Sequence, residues 1–304
     1  MESSIRRCLS TEQIPGDPLN IKDLDTFIAV AEARSFSEAA LSLNITQPAV
    51  TKRVQALEKA LGATLFDRVG KRVHLTVAGE VMQQQARTLL GNWSDTQRQI
   101  ANISSNVTGP LKLATSHHIG LHRLAPVLKT YRDTYPDVAL NITFEDSEVA
   151  HEMLKAGEIE LAVVTLNPEG EGELAYAPVW HDPLRFVTAA GASPRAGLRL
   201  EELANMPCVL PGVATFTGRI VLDRFAAAGI ALHPAMSTNY LETLSMLVSV
   251  GLGWSVLPES MADGLDMLDV DCPEMSRTLG CVTHPARVLS NAARAFYDVV
   301  TDPS

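Results

Sequence analysis

No run in this sequence reaches the roughly 18 consecutive apolar residues that a membrane-crossing helix needs, so an integral helical membrane protein is not expected. Cysteine is scarce: four in 304 residues, at positions 8, 208, 272 and 281. None has a close-paired spacing, which excludes a disulfide scaffold and a sequence-local metal clip; the thiols read as free groups of a reducing compartment. The first 20 residues lack an apolar core, so no secretory signal is expected and the cytoplasm is the expected location. Catalytic signatures are missing too. There is no serine-centred elbow, no Walker loop, no full dinucleotide fingerprint after a strand and no readable Cys–His pairing, so an enzyme is not expected.

Basic charge is short overall, with a net of −10, which on its face argues against nucleic acid. Its distribution points the other way. Between Ile21 and Leu75 there are 8 basic and 6 acidic residues, whereas Thr76 to Ser304 holds 15 basic and 26 acidic. Within 52–72 the balance is 6 basic to 2 acidic. A local positive field on an otherwise acidic chain is the pattern of a DNA-binding end.

The length suggests two domains, and 46% apolar content is enough for ordinary cores. Residues 1–20, with Pro15-Gly16-Asp17-Pro18 and no periodicity, read as a mobile extension. Three helices are expected next: Asp23 to Ala33, Glu38 to Leu43 capped by Ser37, and Gln47 to Leu61 capped by Thr46 and ended by Gly62. Pro48 falls in the first turn of the third helix, where it costs no internal hydrogen bond. A short hairpin follows around Gly70-Lys71-Arg72. A long helix from Thr76 to about Ile103 carries the unbroken heptad Met82, Ala86, Leu89, Trp93, Thr96, Ile100, Ile103, a seam for pairing with another helix. Ser104 to Pro110 reads as a hinge. Beyond it, strand-like and helix-like segments alternate in two blocks, implying parallel α/β sheets in two lobes around a cleft.

Ala40, Asn44 and Val50 have the offsets of a helix-turn-helix: a small residue on the first helix, a turn residue tolerant of positive φ, and an apolar residue on the second. The second helix then exposes Gln47, Pro48, Thr51, Lys52 and Gln55, while Val50, Val54 and Leu57 face inward. Gln47 suits adenine in the major groove, Thr51 suits a base or a phosphate, and Lys52 and Arg53 sit nearer phosphates. Ser37 and Thr46 complete the expected interface, and Arg68, Lys71 and Arg72 form a cationic wing beside it.

On these residues the chain resembles the LysR-type transcriptional regulators. The stretch runs through Phe27 to Glu32, Ser35 to Ala40, Leu43, Gln47, Val54, Leu57-Glu58, Leu61-Gly62, Leu65 to Arg68 and Leu75 to Gly79, with Thr51 where the family usually carries serine. The resemblance implies an N-terminal all-α winged helix-turn-helix (21–79), a dimerising linker helix and hinge (80–108), and a two-lobed α/β effector domain of the type 2 periplasmic-binding-protein kind (109–304). Lobe I would comprise about 109–183 and 284–304, and lobe II about 184–283. It further implies a dimer, commonly a tetramer, on double-stranded DNA with an interrupted inverted repeat, with RNA polymerase as a partner and no membrane.

Ligands of open α/β sheets bind beyond the carboxyl ends of the strands, and helix N-termini there favour anions. The strand ends Thr115-Ser116-His117-His118, Asp146-Ser147 and Thr215-Phe216-Thr217, with Thr165, are therefore the expected lining for a small, anionic effector. The family resemblance places effector sites at the corresponding loops. His117-His118 departs from the small hydroxyl residues common there. His118 and His122 form an i,i+4 pair that is half of a metal site; a histidine bonding a carboxylate effector and a structural histidine are the competing readings, and no metal or other cofactor is expected. Two rival functions stand beside effector sensing: a thiol-redox regulator using Cys208 with Cys272 or Cys281, and a solute-binding protein, which would have no use for the cationic N-terminal residues.

Overall fold

The computed structural model describes residues 20–69, 72–170, 172–191 and 197–302. Of the expected N-terminal extension only Asn20 falls among them. Two compact units divide the chain, one ending at Ser94 and the other beginning at Asp95.

The first unit opens with α1 (Ile21–Ala33), capped by the Asn20 side chain, which accepts from Lys22 N at 3.0 Å. The second helix, α2 (Phe36–Ser42), starts earlier than expected: Ser35, not Ser37, is its cap, accepting from Glu38 N at 3.3 Å. Two serines satisfy the local chemistry equally, but only the earlier start puts Phe36, Ala39 and Ala40 together on the buried face. Asn44 turns the chain with φ 52°, the left-handed conformation its place in the helix-turn-helix requires. Then comes α3 (Gln47–Leu61), closed by Gly62 at φ 64°. Thr46 holds its N-cap position without a side-chain cap bond, while Pro48 removes one donor that would have needed one.

Leu24, Phe27, Val30, Ala39, Val50, Val54 and Leu57 form the core of this unit. Against it lies an antiparallel hairpin, β1 (Phe66–Val69) and β2 (Arg72–Leu75), paired Phe66 to Leu75. Glu58 anchors the hairpin to α3, accepting from Leu65 N at 2.8 Å and Phe66 N at 3.4 Å. Helix α4 (Val77–Ala101) follows and runs across the unit boundary. Ala86 is buried and Met82 packs on the first core, but Leu89, Trp93 and Ile100 stay exposed. Ile103, expected inside the helix, lies beyond its end.

In the second unit the chain runs β3 (Gly109–Thr115), α5 (His117–His122), α6 (Leu124–Thr134), β4 (Val138–Phe144), α7 (Ser147–Ala156), β5 (Leu161–Thr165) and the long β6 (Ala175–Ala189). It continues through α8 (Leu200–Ala204), β7 (Val209–Leu210), α9 (Phe216–Ala227), β8 (Met236–Ser237), α10 (Leu241–Ser249), β9 (Ser255–Pro258), β10 (Leu265–Met267), β11 (Met275–Thr283) and α11 (Asn291–Thr301).

Among the described residues the main sheet has seven strands in the order β10-β6-β11-β5-β3-β4, with β9 also on β6. It is mixed, which corrects the expected parallel sheets. The pairs β3–β4 and β3–β5 are parallel, but β11 is antiparallel to both β5 and β6. The physical reason is connectivity: the chain leaves the first lobe along β6, builds the second, and returns along β11, so these two neighbouring strands run in opposite directions. Each serves both lobes. Ala175 to Trp180 pairs with the β11 half that borders β5, while Leu184 to Val187 pairs with β9. The ladder slips between Leu279 and Gly280, where a side chain would not fit: a Cβ on Gly280 would overlap the Ala177 carbonyl oxygen. Separate cores sit under each lobe, one around Leu113, Ile119, Tyr131 and Phe296, another around Phe186, Phe225 and Trp254.

Candidate DNA-binding face and effector cleft

On α3 the apolar residues Val50, Val54 and Leu57 point into the core, and the opposite face carries Gln47, Pro48, Lys52 and Gln55, all exposed. Thr51 is half-buried, and its hydroxyl accepts from Gln47 Nε2 at 3.3 Å. That bond pre-orients two side chains on one polar strip. Arg53 is turned back on the scaffold: its Nη1 donates to Thr26 Oγ1, 3.2 Å away on α1. Ser37 is exposed on α2, and Thr46 is exposed at the start of α3. Lys71 lies outside the described residues, and only the backbone of Arg68 and Arg72 is described, in the hairpin ladder.

In the second unit, nine of the ten expected effector residues line one cavity of about 140 Å³: Ser116, His117, His118, Asp146, Ser147, Thr165, Thr215, Phe216 and Thr217. That is well below the roughly 300–1,000 Å³ of drug-sized sites. Thr115 is not among them. Its side chain turns into the sheet and donates to the Val163 carbonyl at 2.8 Å, tying β3 to β5. Several of the lining hydroxyls are already engaged. Ser147 Oγ accepts from Thr165 N at 3.1 Å, joining α7 to β5. Thr215 caps α9, accepting from Gly218 N at 3.0 Å and donating to Gly212 O at 2.7 Å.

The residue that sequence reasoning missed is Arg277. It sits on β11 directly opposite Asp182 of β6, and both are almost fully buried. Its Nε donates to Asp182 Oδ2 at 2.7 Å and its Nη1 to Thr217 Oγ1 at 3.1 Å. The buried Nη2 has no hydrogen-bond partner, and the residue lines the cavity. Burial lowers the guanidinium's pKa, while the Asp182 carboxylate opposes that shift. Only an arginine in the middle of a strand-like segment (Met275 to Thr283) marked it in the sequence, with nothing to say what it faced.

Hydrogen bonds fasten the lobes across the cleft. Glu148 of α7 accepts from the backbone N–H of Phe216 at the N-terminus of α9, and Asp146 accepts from Asn239. Burial raises the Glu148 carboxyl's pKa, partly offset by backbone hydrogen bonds. His117 stands edge-on between Phe144 at 5.6 Å and Tyr240 at 5.5 Å, one ring from each lobe. His118 is buried, and burial followed by the Arg277 charge pushes its pKa down to about 4. On α7, burial lowers the pKa of His151, whose Nδ1–H donates to the Ser147 carbonyl at 2.5 Å.

The described cysteines form no disulfide. Cys281 lies in the first lobe's core, Cys208 in the second's, with Cys272 at the latter's margin. Burial raises all three thiols, Cys281 to about 12. A thiol-redox switch requires the opposite, a thiolate-favouring environment.

Comparison with known proteins agrees with this architecture. Residues 104–303 match the family description "LysR substrate binding domain", and residues 21–80 match "Bacterial regulatory helix-turn-helix protein, lysR family". An uncharacterised HTH-type transcriptional regulator of Azotobacter vinelandii is 52% identical over 108 residues, covering 36% of this chain and 75% of that one. The HTH-type transcriptional regulator IlvR of Caulobacter vibrioides is 31% identical over 250 residues, 80% of this chain and 83% of that one. The structure of a full-length OxyR variant from Pseudomonas aeruginosa shares the fold, with a TM-score of 0.66 at 22% identity over 93% of this chain and 95% of that one.

Proposed function

Because this chain belongs to the LysR family of bacterial transcriptional regulators, a DNA-binding regulator with a ligand-binding domain, we propose which residues read DNA and what the cleft receives. The carrying observation is α3, with Val50, Val54 and Leu57 locked in the core and Gln47, Lys52 and Gln55 presented outward. Gln47 reads an adenine edge and Thr51 shares that contact, held by their mutual hydrogen bond. Lys52 and Gln55 face phosphates or neighbouring bases, with Ser37, Thr46 and Pro48 at the entry of the groove. Arg53 supports α3 from behind and steadies the contact face. Arg68, Lys71 and Arg72 take the flanking backbone. The exposed Leu89, Trp93 and Ile100 of α4 pair with the same helix of a second copy, so that a dimer, and by further association a tetramer, meets an interrupted inverted repeat. The molecule acts in the cytoplasm, contacts RNA polymerase and catalyses no reaction.

Two substitutions separate these roles. Lys52→Ala is expected to weaken binding to every sequence alike and to reduce the salt slope by about 1. Gln47→Ala is expected to relax preference at one base pair, an effect of about 1–3 kcal/mol. Titrations of selected and random duplexes at several salt concentrations measure both. Identical behaviour of the two variants on both duplexes contradicts the assignment.

For the cleft, the ligand is a small metabolite carrying a carboxylate. Glu148 marks the place, because its carboxylate already accepts from the first amide of α9, that of Phe216. The effector's carboxylate would replace it there and take the free Nη2 of Arg277. Asp146 would receive a hydrogen-bond donor at the other end. A panel of small mono- and dicarboxylates screened by thermal shift on the full chain should yield binders that raise Tm. Thr217→Val, which removes the hydroxyl holding Arg277, should abolish that rise. A panel in which none shifts Tm, or shifts that survive Thr217→Val, overturns this reading of the cleft.

A further inference from the structure

Beside the cleft, two histidines of one helix converge with a carboxylate 120 positions further on from the second of them. His118 and His122 stand one turn apart on α5, with ring centroids 4.8 Å apart. Glu242 approaches them from α10, in the other lobe. Its Oε1 lies 3.3 Å from His122 Nε2 and 3.8 Å from His118 Nδ1. One ligand atom from each residue lies within 4.8 Å of the other two. We propose that His118, His122 and Glu242 form a binding site for a divalent first-row transition metal, which ties the first lobe to the second.

A simple ion pair does not account for this cluster. His118 is buried yet neither ring nitrogen has a hydrogen-bond partner, and the second carboxylate oxygen of Glu242 is also buried and unpartnered. Polar groups left in that condition are costly unless something completes them. One cation placed among the three would take one of the two His118 nitrogens and bind the Glu242 carboxylate. Two histidines at i and i+4 share a helix face, and with a carboxylate they make a donor set suited to zinc, cobalt, nickel or copper rather than to calcium or magnesium. Water would fill the fourth position of a tetrahedron.

The fit needs contraction. Tetrahedral ligands about 2.0–2.1 Å from zinc stand about 3.3 Å from one another. His122 and Glu242 are partly exposed and free to supply that movement, while His118 is fixed by burial. Arg277 opposes a cation here, and Asp182, bonded to it, offsets part of its field. Metal binding would draw α5 and α10 together and so favour the closed arrangement of the lobes. This site is separate from the carboxylate reading of the cleft: it uses His122 and Glu242, which that reading does not.

The test is cobalt(II) titration of the full-length, chelator-stripped protein, followed by visible d–d absorption and by zinc competition. The expected result is one ion per chain with the intense absorption of a four-coordinate nitrogen–oxygen site. His122→Ala and Glu242→Gln, both at the surface and checked for folding by circular dichroism, should each weaken binding at least tenfold. The proposal is overturned if the wild type shows no stoichiometric band, if either variant binds as tightly as the wild type, or if the spectrum carries the sulfur charge-transfer band of cysteine ligation. None of these failures touches the thermal-shift result for carboxylates.

Discussion

Arg277→Ala is expected to cost the second unit roughly 3–5 kcal/mol, because it strands a buried carboxylate. Asp182 is 1% exposed. Its remaining partner would be Arg123 Nη2 at 3.3 Å, a longer contact from a half-buried side chain. For a domain of this size each kcal/mol moves the melting temperature by roughly 2–4 °C, so a drop on the order of 10 °C should appear in a thermal melt. The pair itself is not expected to be strongly stabilising, since taking two charges out of water offsets most of their attraction. Arg277→Met combined with Asp182→Leu should therefore recover most of the loss. A single variant within about 1 kcal/mol of the wild type, or a double variant no better than the single, contradicts this account.

Phe27→Ala is expected to remove a comparable amount, roughly 3–5 kcal/mol, from the first unit. Phe27 is fully buried and its ring stands 5.2 Å from that of Phe66, so truncation leaves a void between α1 and the hairpin. Small domains have little stability in reserve, and total values of about 5–15 kcal/mol make such a loss decisive. DNA affinity should fall more than tenfold at 37 °C, while carboxylate-induced stabilisation of the second unit persists. Retained DNA affinity at that temperature would show that the three-helix core tolerates the cavity.

The two variants probe regions that differ in how far the sequence disclosed them. In the first unit, nearly everything was local. Ala40, Asn44 and Val50 lie within one motif, and the polar and apolar faces of α3 follow from a 3.6-residue repeat, so both appeared where expected. The error at Ser37 came from two nearby serines with the same capping chemistry; the burial of Phe36 decided between them, and burial is a tertiary property. In the second unit the strand-end residues were found by position, and nine of them share a cavity. Arg277 was not found, because its partner Asp182 is 95 positions away and their pairing depends on strand order. Glu242 is likewise 120 positions from His122. Alternation of helices and strands pointed to parallel ladders, but it carried no trace of two long strands running through both lobes.

The position of β11 between β5 and β6 has a consequence for synthesis on the ribosome. The helix-turn-helix segment has all its partners as soon as it emerges and can fold at once. The first lobe cannot. Its sheet lacks an interior strand until nearly the whole chain has been translated, at ~5–20 residues per second. Through that interval β5 and β6 present unsatisfied backbone edges, the surfaces most prone to joining another nascent chain. Slow codons or chaperone occupancy between Thr165 and Met275 should therefore govern the yield of soluble protein more than any feature of the N-terminal region.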